Sequence, residues 1–210
     1  MQQHPHSAIV HIIDDDAAVL DSLSLLLETV GIKNAVYTDA EQFLNAYQNE
    51  QFDKNNGCIV LDVRMPIISG IECQQKLNDL GSTLPIIFIT GYADVPMAVE
   101  AMKKGAIEFI QKPFREQALL DAIQRALQFN EIQLKTLHDI EKIAHRIASL
   151  SEREKQVLDK IVEGKANKVI AAELHLSQRT VEIHRANVME KMHADSLAHL
   201  IKMALQIEQN

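Results

Sequence analysis

Ile9-Val-His-Ile-Ile-Asp-Asp-Asp16 is the stretch of sequence that decides the fold of this protein. A largely apolar run without alternation stops at three acids, and a helix-like pattern begins directly after them. Helical periodicity separates this run from four further short apolar runs, which are Ala35–Tyr37, Cys58–Leu61, Ile86–Ile89 and Phe109–Ile110. Runs that are apolar throughout are typical of strands buried on both faces of a parallel sheet. The pattern predicts a five-stranded, doubly wound α/β domain with helices on both sides of the sheet.

The rest of the chain, from Glu116 onward, has a helical pattern, and neither Gly nor Pro occurs between Pro113 and Gly164. A 3-4 spacing, with polar Asn130 on the same seam, is formed by Leu120, Ile123, Leu127, Leu134 and Leu137. This spacing predicts a long helix that leaves the first domain as a connector. The alternative is a packed fifth helix followed by a loose linker. The expected organisation is an α/β domain over 1–128, a helical linker over 129–146 and an all-α domain over 147–210.

Charge is divided unevenly along the chain, whose net charge is −8. Residues 1–128 hold 17 acidic and 9 basic side chains, whereas residues 129–210 hold 12 of each. An acidic first domain is unsuited to nucleic acid and suits a cation site. No stretch approaches the ~20 apolar residues of a membrane span, and Met1–Ser7 is too polar for a signal peptide, so a cytoplasmic protein without a membrane partner is expected. Cys58 and Cys73 fit no metal or redox spacing, so buried thiols are expected.

The predicted strands end in residues that carry chemistry. The first strand runs into Asp14–Asp16, the third into Asp62, the fourth into Thr90 and the fifth into Lys112. The carboxyl ends of parallel strands meet at one edge, where these acids would repel one another unless a cation lies among them. Oxygen ligands without His or Cys indicate Mg²⁺. Any one acid could be a mere helix cap, but a carboxylate nucleophile beside a hydroxyl and an ammonium predicts a phosphoryl site.

The C-terminal pattern is that of a helix-turn-helix. Ser151 and Ser177 are well placed as N-caps, and a turn of about three or four residues around His175-Leu176 separates two helices. By chemistry, Arg179 can read guanine, Glu182 cytosine and Ile183 a thymine methyl group. The phosphate candidates are Lys168, Arg185 and Lys191, and Thr180 and Asn187 complete the predicted DNA contacts. A helix-turn-helix that serves only protein contacts is the alternative.

Residues 7–128 resemble the receiver domain of bacterial two-component response regulators. The motifs that carry the resemblance are Ile12-Ile-Asp-Asp-Asp16, Leu61-Asp-Val-Arg-Met-Pro66 with Ser69-Gly70, Ile89-Thr-Gly-Tyr92 and Lys112-Pro-Phe114. The resemblance implies a flavodoxin-like fold and makes Asp62 the phosphate acceptor. It also implies that Asp14 and Asp15 organise Mg²⁺, together with Asp62 and the backbone carbonyl of Arg64.

The same resemblance assigns the remaining residues of the switch. Thr90 would bind the phosphoryl oxygens, Lys112 would pair with the aspartyl phosphate, and Phe109 lies where the family has its switch aromatic residue. Lys112–Pro113 resembles the family's cis peptide. Phosphorylation would create a dimer surface on the fourth helix, fifth strand and fifth helix, roughly residues 96–128. The departures from the family are small: Asp16 is a third acid, and Ile67–Ile68 is more apolar than usual.

Residues 147–206 resemble the DNA-binding domain of the LuxR/NarL type, and nearly the whole chain is similar to the FixJ class of regulators. Residues 90–102 and His184-Arg-Ala-Asn-Val-Met189 are the most specific stretches. The resemblance implies a sensor histidine kinase and promoter DNA as partners, with a homodimer on phosphorylation and RNA polymerase as a further candidate.

Two other functions share features with this pattern. A Mg²⁺-dependent phosphohydrolase also uses an aspartate nucleophile, and Asp14-x-Asp16 is superficially similar to its motif. However, Ala18 stands where that pattern needs Thr or Val, and the usual cap and late acidic pair are missing. A regulator that works without phosphate is disfavoured because every phosphorylation residue is present. The sequence thus predicts a stoichiometric phosphoacceptor and not an enzyme.

Overall fold

A computed structural model of the protein describes residues 8–92 and 95–208. The polar start Met1–Ser7 lies outside the described residues. The chain forms two compact units that divide between Leu134 and Lys135. Helix α5, Glu116–Ala148, is continuous across that division, so residues 129–146 are helical and do not form a loose linker.

The first unit alternates strands and helices as the apolar runs predict. Its elements are β1 Ile9–Ile13, α1 Ala17–Thr29, β2 Lys33–Tyr37, α2 Ala40–Gln48, β3 Gly57–Asp62, α3 Gly70–Asp79, β4 Ile86–Thr90, α4 Val95–Lys103, β5 Glu108–Gln111 and the first part of α5. The strand order is β2-β1-β3-β4-β5, and all neighbouring pairs are parallel. Apolar side chains fill a core on each face of the sheet, which confirms the predicted doubly wound α/β fold.

The first part of α5 packs against this sheet. Leu120, Ile123 and Leu127 contact the core that also contains β1 residues. Asn130 is buried, and its Oδ1 accepts a hydrogen bond from the backbone N–H of Gly57 at 3.0 Å. The 3-4 spacing over residues 120–127 therefore belongs to a part of α5 that packs on its own domain, and polar Asn130 on the same seam is bonded to that domain as well.

The second unit is all helical, as predicted. It contains the last part of α5 together with α6 Glu152–Val162, α7 Asn167–Glu173, α8 Gln178–Lys191 and α9 Leu197–Glu208. A core of apolar side chains joins these helices and includes Ile143, Val157, Ile161, Ile170, Val181, Val188 and Leu200. Between α7 and α8, His175 adopts a φ of 55° and Leu176 N–H donates to Ala171 O at 2.8 Å. This tight turn sets α7 and α8 in the helix-turn-helix arrangement.

Two smaller expectations also have outcomes in the described ranges. Cys58 and Cys73 are free and buried, and burial raises the pKa of each thiol to about 12, so both are inert core residues. No helix within residues 8–92 and 95–208 is long and apolar enough to cross a bilayer.

His11 is a buried titratable group in the centre of β1. Its ring stacks on Phe52 with 4.7 Å between centroids, and its Nδ1 lies 3.4 Å from the hydroxyl of Tyr37. Burial lowers the pKa of His11 to about 4, against the opposing charge of Asp53. Because the folded pKa lies below the unfolded value, the neutral ring stabilises the fold above pH 6.5, and that stability is lost as the pH falls towards about 4. We expect the protonation of His11 to lower the free energy of unfolding by about 3 kcal/mol.

Tyrosine fluorescence during urea unfolding measures this loss, because all three tyrosines lie in the first unit and the chain has no tryptophan. His11→Phe is the matched control, since it keeps an aromatic ring in the cluster and cannot titrate. The variant should lose less stability between about pH 7 and about pH 4.5 than the parent. The same pH dependence in both proteins would contradict the assignment.

Candidate functional site

Asp62 lies at the carboxyl end of β3 and is buried. The ammonium of Lys112, just after β5, donates to Asp62 Oδ1 at 2.8 Å and to Asp14 Oδ2 at 2.6 Å. Asp14 directly follows β1 and is also buried. Parallel pairing of β1 with β3 and of β4 with β5 brings these strand ends to one edge, as the sequence predicts.

The carboxylates of Asp14 and Asp62 are ionisable groups with little access to solvent. Burial raises the pKa of Asp14, and the charge of Asp62 raises it further, while the hydrogen bond from Lys112 opposes both. Burial disfavours the charged form of Lys112, but its hydrogen bonds to Asp14 and Asp62 outweigh this and raise its pKa. The second oxygens accept backbone hydrogen bonds, Asp14 Oδ1 from Asp16 N–H at 3.0 Å and Asp62 Oδ2 from Arg64 N–H at 2.6 Å. Lys112 and two amides therefore fix both carboxylates in place.

The three consecutive acids have different positions. Asp14 points into the site, whereas Asp16 is the N-cap of α1 and accepts from Ala18 N–H at 2.9 Å. Asp15 is exposed at the rim. Over residues 8–92 and 95–208, no set of three or more His, Cys, Asp or Glu side chains is arranged as a metal centre. The chemistry of the donors nevertheless fits a hard cation, because Asp14, Asp15 and Asp62 bring three negative charges against the single ammonium of Lys112.

Thr90 ends β4 beside this site and is fully buried. Its hydroxyl donates to Tyr92 O and accepts from Tyr92 N–H, both at 3.2 Å. Phe109 on β5 is partly buried, and its ring centroid lies 6.0 Å from that of Phe88. Lys112–Pro113 is a cis peptide, as the resemblance implies. In this conformation the Thr90 hydroxyl is thus bound to the loop after β4 and not to either carboxylate.

The loop between β3 and α3 holds Asp62 from the other side. Gly70 N–H donates to Val63 O at 2.9 Å, and a Cβ at Gly70 would lie 2.2 Å from the backbone oxygen of Asp62. Ser69 and Glu72 form a capping box that starts α3. The guanidinium of Arg64 lies 4.6 Å from the centre of the Tyr92 ring, a contact that sequence reasoning missed. The Ser69-Gly70 pair could have indicated the close approach of Gly70 to the backbone of Asp62, because only glycine fits there.

The second unit exposes a polar face on α8. Val181 and Val188 are buried beneath it, while Arg179, Glu182 and Ile183 are exposed. The other predicted DNA contacts vary in burial: Lys168 on α7 is exposed, and Thr180, Arg185 and Asn187 are half-buried. Thr180 also belongs to the helix start, since Ser177 Oγ accepts from its N–H at 3.0 Å. An exposed face on the second helix of a helix-turn-helix is the arrangement that enters a major groove.

Lys191 differs from the other predicted phosphate contacts. Its ammonium lies 2.6 Å from Glu154 Oε2, so it already has a carboxylate partner within the second unit. Sequence reasoning recognised Ser151 as a cap but did not find the role of Glu154. The spacing from Ser151 to Glu154 is that of a capping box and indicates the start of α6. It could not reveal Lys191, the partner of Glu154, which lies 37 residues away in the chain.

Comparisons with known proteins agree with this geometry. The response regulator receiver domain matches residues 10–124, and the LuxR family of bacterial regulatory proteins matches residues 148–204. The transcriptional regulatory protein FixJ of Azorhizobium caulinodans is 48% identical over 201 residues, which cover 96% of this chain and 93% of that protein. The response regulator protein TodT of Pseudomonas putida is 41% identical over 202 residues, covering 96% and 87%.

Solved structures give the same picture. The response regulator StyR matches with a TM-score of 0.81 and 41% identity over 94% of this chain and 98% of that one. Full-length FixJ from B. japonicum matches with a TM-score of 0.58 and 43% identity over 97% and 98%. The chain therefore belongs to the two-component response regulators of the FixJ class, in which a receiver domain precedes a LuxR-type helix-turn-helix DNA-binding domain.

Proposed function

We propose that Asp62 accepts a phosphoryl group from the phosphohistidine of a sensor kinase, and that the resulting acylphosphate switches the binding of promoter DNA. A carboxylate oxygen of Asp62 attacks phosphorus and the bond between phosphorus and the histidine nitrogen breaks; the imidazole, protonated on its other ring nitrogen, leaves as a neutral group. The observation that carries this proposal is the immobilised, buried carboxylate of Asp62 beside Lys112, whose ammonium is 2.8 Å away and can bind the transferred group.

Mg²⁺ is the cofactor that we propose for this step. Asp14, Asp15, Asp62 and the backbone carbonyl of Arg64 would hold the ion, which supplies neutralisation of the phosphoryl oxygens. The excess of carboxylates over ammonium groups at the site supports this assignment. The chain's own contribution is to hold Asp62 still through Arg64 N–H and Lys112, so that the reacting oxygen needs no reorganisation.

Thr90 and Phe109 are proposed to transmit the phosphorylated state. A phosphoryl group on Asp62 offers the Thr90 hydroxyl a charged acceptor that is stronger than Tyr92 O. Moving Thr90 inward would free the loop before α4 and open space for the Phe109 ring. Two phosphate-dependent states of this kind are enough for a switch, provided that the phosphate interacts differently with each.

The attachment of α4 supports motion at its N-terminal end. Its C-terminal end is clamped by α3, because Gln74 Nε2 donates to Ala101 O at 3.1 Å and Asn78 Nδ2 donates to Lys104 O at 3.0 Å. At the other end Val95 is 77% exposed. We therefore propose that α4 pivots about its C-terminal end when Thr90 moves.

Dimerisation is the proposed output of the receiver. Val95, Val99 and Met102 are exposed apolar side chains on α4, which belongs to the surface that the sequence resemblance assigns to the dimer. A homodimer would present two copies of α8 to two half-sites, with RNA polymerase as a further candidate partner.

Within each copy we propose Arg179, Glu182, Ile183 and Asn187 as the base-reading residues. We propose Thr180 as an additional contact and Lys168 and Arg185 as phosphate contacts.

Incubation with acetyl phosphate and Mg²⁺ tests the proposed chemistry. Because Asp62 is consumed as an acceptor, intact-mass measurement should find one added phosphoryl group per chain, with slow loss of the adduct. Rapid turnover of acetyl phosphate without a lasting adduct would contradict a stoichiometric switch and indicate a phosphohydrolase.

A further inference from the structure

An ion pair joins the start of α6 to the end of the DNA-reading helix α8. Lys191 Nζ lies 2.6 Å from Glu154 Oε2, and the same oxygen accepts a hydrogen bond from Ser151 N–H at 2.8 Å. Only 5% of the Glu154 side chain is exposed. The hydrogen bonds from Lys191 and Ser151 hold the pKa of Glu154 far below its usual range, at about 2, so the carboxylate is charged at any working pH.

A second contact restrains the same end of α8. Arg146, near the end of α5, donates through a guanidinium nitrogen to Met192 O, the C-cap carbonyl of α8, at 3.0 Å. The Met192 side chain is fully buried. The end of α8 is therefore tied by a side chain to α6 and by its backbone to α5, whereas the residues proposed to read bases lie further towards its start.

We infer that Glu154 and Lys191 act as one positioning pair that fixes the orientation of α8, and that Lys191 is not a phosphate contact. This inference rests on the proposed reading of DNA by α8. The Lys191 side chain is 42% exposed, but a DNA phosphate that drew its ammonium away would leave Glu154 buried without a partner, which is costly for a carboxylate. While the pair is intact, the charge of Lys191 is compensated, so it displaces few counterions from DNA.

The pair and a phosphate contact have different consequences for binding. A phosphate contact contributes to affinity for every sequence, whereas the orientation of α8 matters for contacts to base edges. Loss of the pair should therefore weaken binding to the preferred sequence and leave binding to unrelated sequences nearly unchanged. A variant that removes one partner also leaves the other charge unpaired, so removing both should weaken binding to the preferred sequence no more than removing one.

A double-mutant cycle in the full-length protein tests the inference. Lys191→Met, Glu154→Gln and the double variant are compared with the parent on a duplex selected by the parent from a randomised pool and on a scrambled duplex. Each single variant should bind the selected duplex about tenfold more weakly. On the scrambled duplex Lys191→Met should stay within about twofold of the parent, and Glu154→Gln, which leaves the charge of Lys191 uncompensated, should bind no more weakly than the parent. The double variant should bind the selected duplex no more weakly than either single variant, and Lys191→Arg should keep the preference of the parent because it keeps a charged donor.

Lys168→Met is the matched control, because Lys168 is exposed and proposed to bind phosphate. This variant should bind both duplexes more weakly by the same factor. The slope of the logarithm of the affinity against the logarithm of the salt concentration should become shallower by about one unit. If Lys191→Met behaves like Lys168→Met while Glu154→Gln binds like the parent, the positioning pair is refuted. Lys191→Met leaves the capping box intact, and circular dichroism should find its helices folded; a domain that unfolds in this variant would also overturn a positioning role. A parent that selects no duplex would overturn this inference and the proposed reading of DNA together.

Discussion

Asp62→Asn should eliminate the transfer of a phosphoryl group from acetyl phosphate to the protein. An amide cannot serve as the nucleophile that forms an acylphosphate, and of the three neighbouring acids Asp14 and Asp16 already have partners while Asp15 lies exposed at the rim of the site. Asp14 is held by Lys112 and Asp16 N–H, and Asp16 caps α1. We expect the adduct measured by mass spectrometry to fall from one per chain to below detection.

Asp16→Asn is the matched control for this variant. Asparagine is as good an N-cap as aspartate, so α1 should form normally and the protein should still accept a phosphoryl group at the parent rate within about twofold. If Asp62→Asn retained the full adduct, the acceptor would lie elsewhere, and peptide mapping of the modified residue would identify it.

Gly70→Ala should strongly reduce the stability of the first unit. The new Cβ would lie 2.2 Å from Asp62 O and 3.1 Å from Val63 Cα, both of which are backbone atoms that cannot rotate away. We expect a loss of about 3 kcal/mol in the free energy of unfolding, together with weaker phosphoryl acceptance, because the backbone of Asp62 must shift.

Gly91→Ala is the matched control, since among residues 8–92 and 95–208, its chain neighbours aside, no atom lies within 4 Å of a Cβ at that position. Urea unfolding followed by tyrosine fluorescence should find this variant within about 0.5 kcal/mol of the parent. Equal stability of Gly70→Ala and Gly91→Ala would mean that the loop between β3 and α3 is far softer than the contacts of Gly70 imply.

The sequence was sufficient to predict the sheet and the gathering of acids at its edge. Strand ends in a parallel sheet meet by topology, so Asp14, Asp62, Thr90 and Lys112 could be placed together without any knowledge of side-chain contacts. The conformation of the Thr90 side chain could not be predicted from the topology of the sheet. Whether its hydroxyl binds Tyr92 or a phosphoryl group depends on the state of the site and not on the fold.

The role of α5 could not be resolved from periodicity alone. A 3-4 spacing of apolar residues describes both a coiled-coil seam and a helix that packs on its own sheet. The contact that distinguishes them joins Asn130 to Gly57, which is 73 residues away in the chain. Lys191 has the same difficulty, because a lysine on a DNA-reading helix indicates a phosphate contact until Glu154 is found beside it.

A phosphoryl group on Asp62 should select a dimer of this protein. Sedimentation velocity of the full chain with Mg²⁺, before and after addition of the phosphate mimic beryllofluoride, tests that claim most directly. We expect a monomer without the mimic and a dimer with it, and a monomer under both conditions for Asp62→Asn. The same oligomeric state of the parent protein with and without beryllofluoride would contradict it.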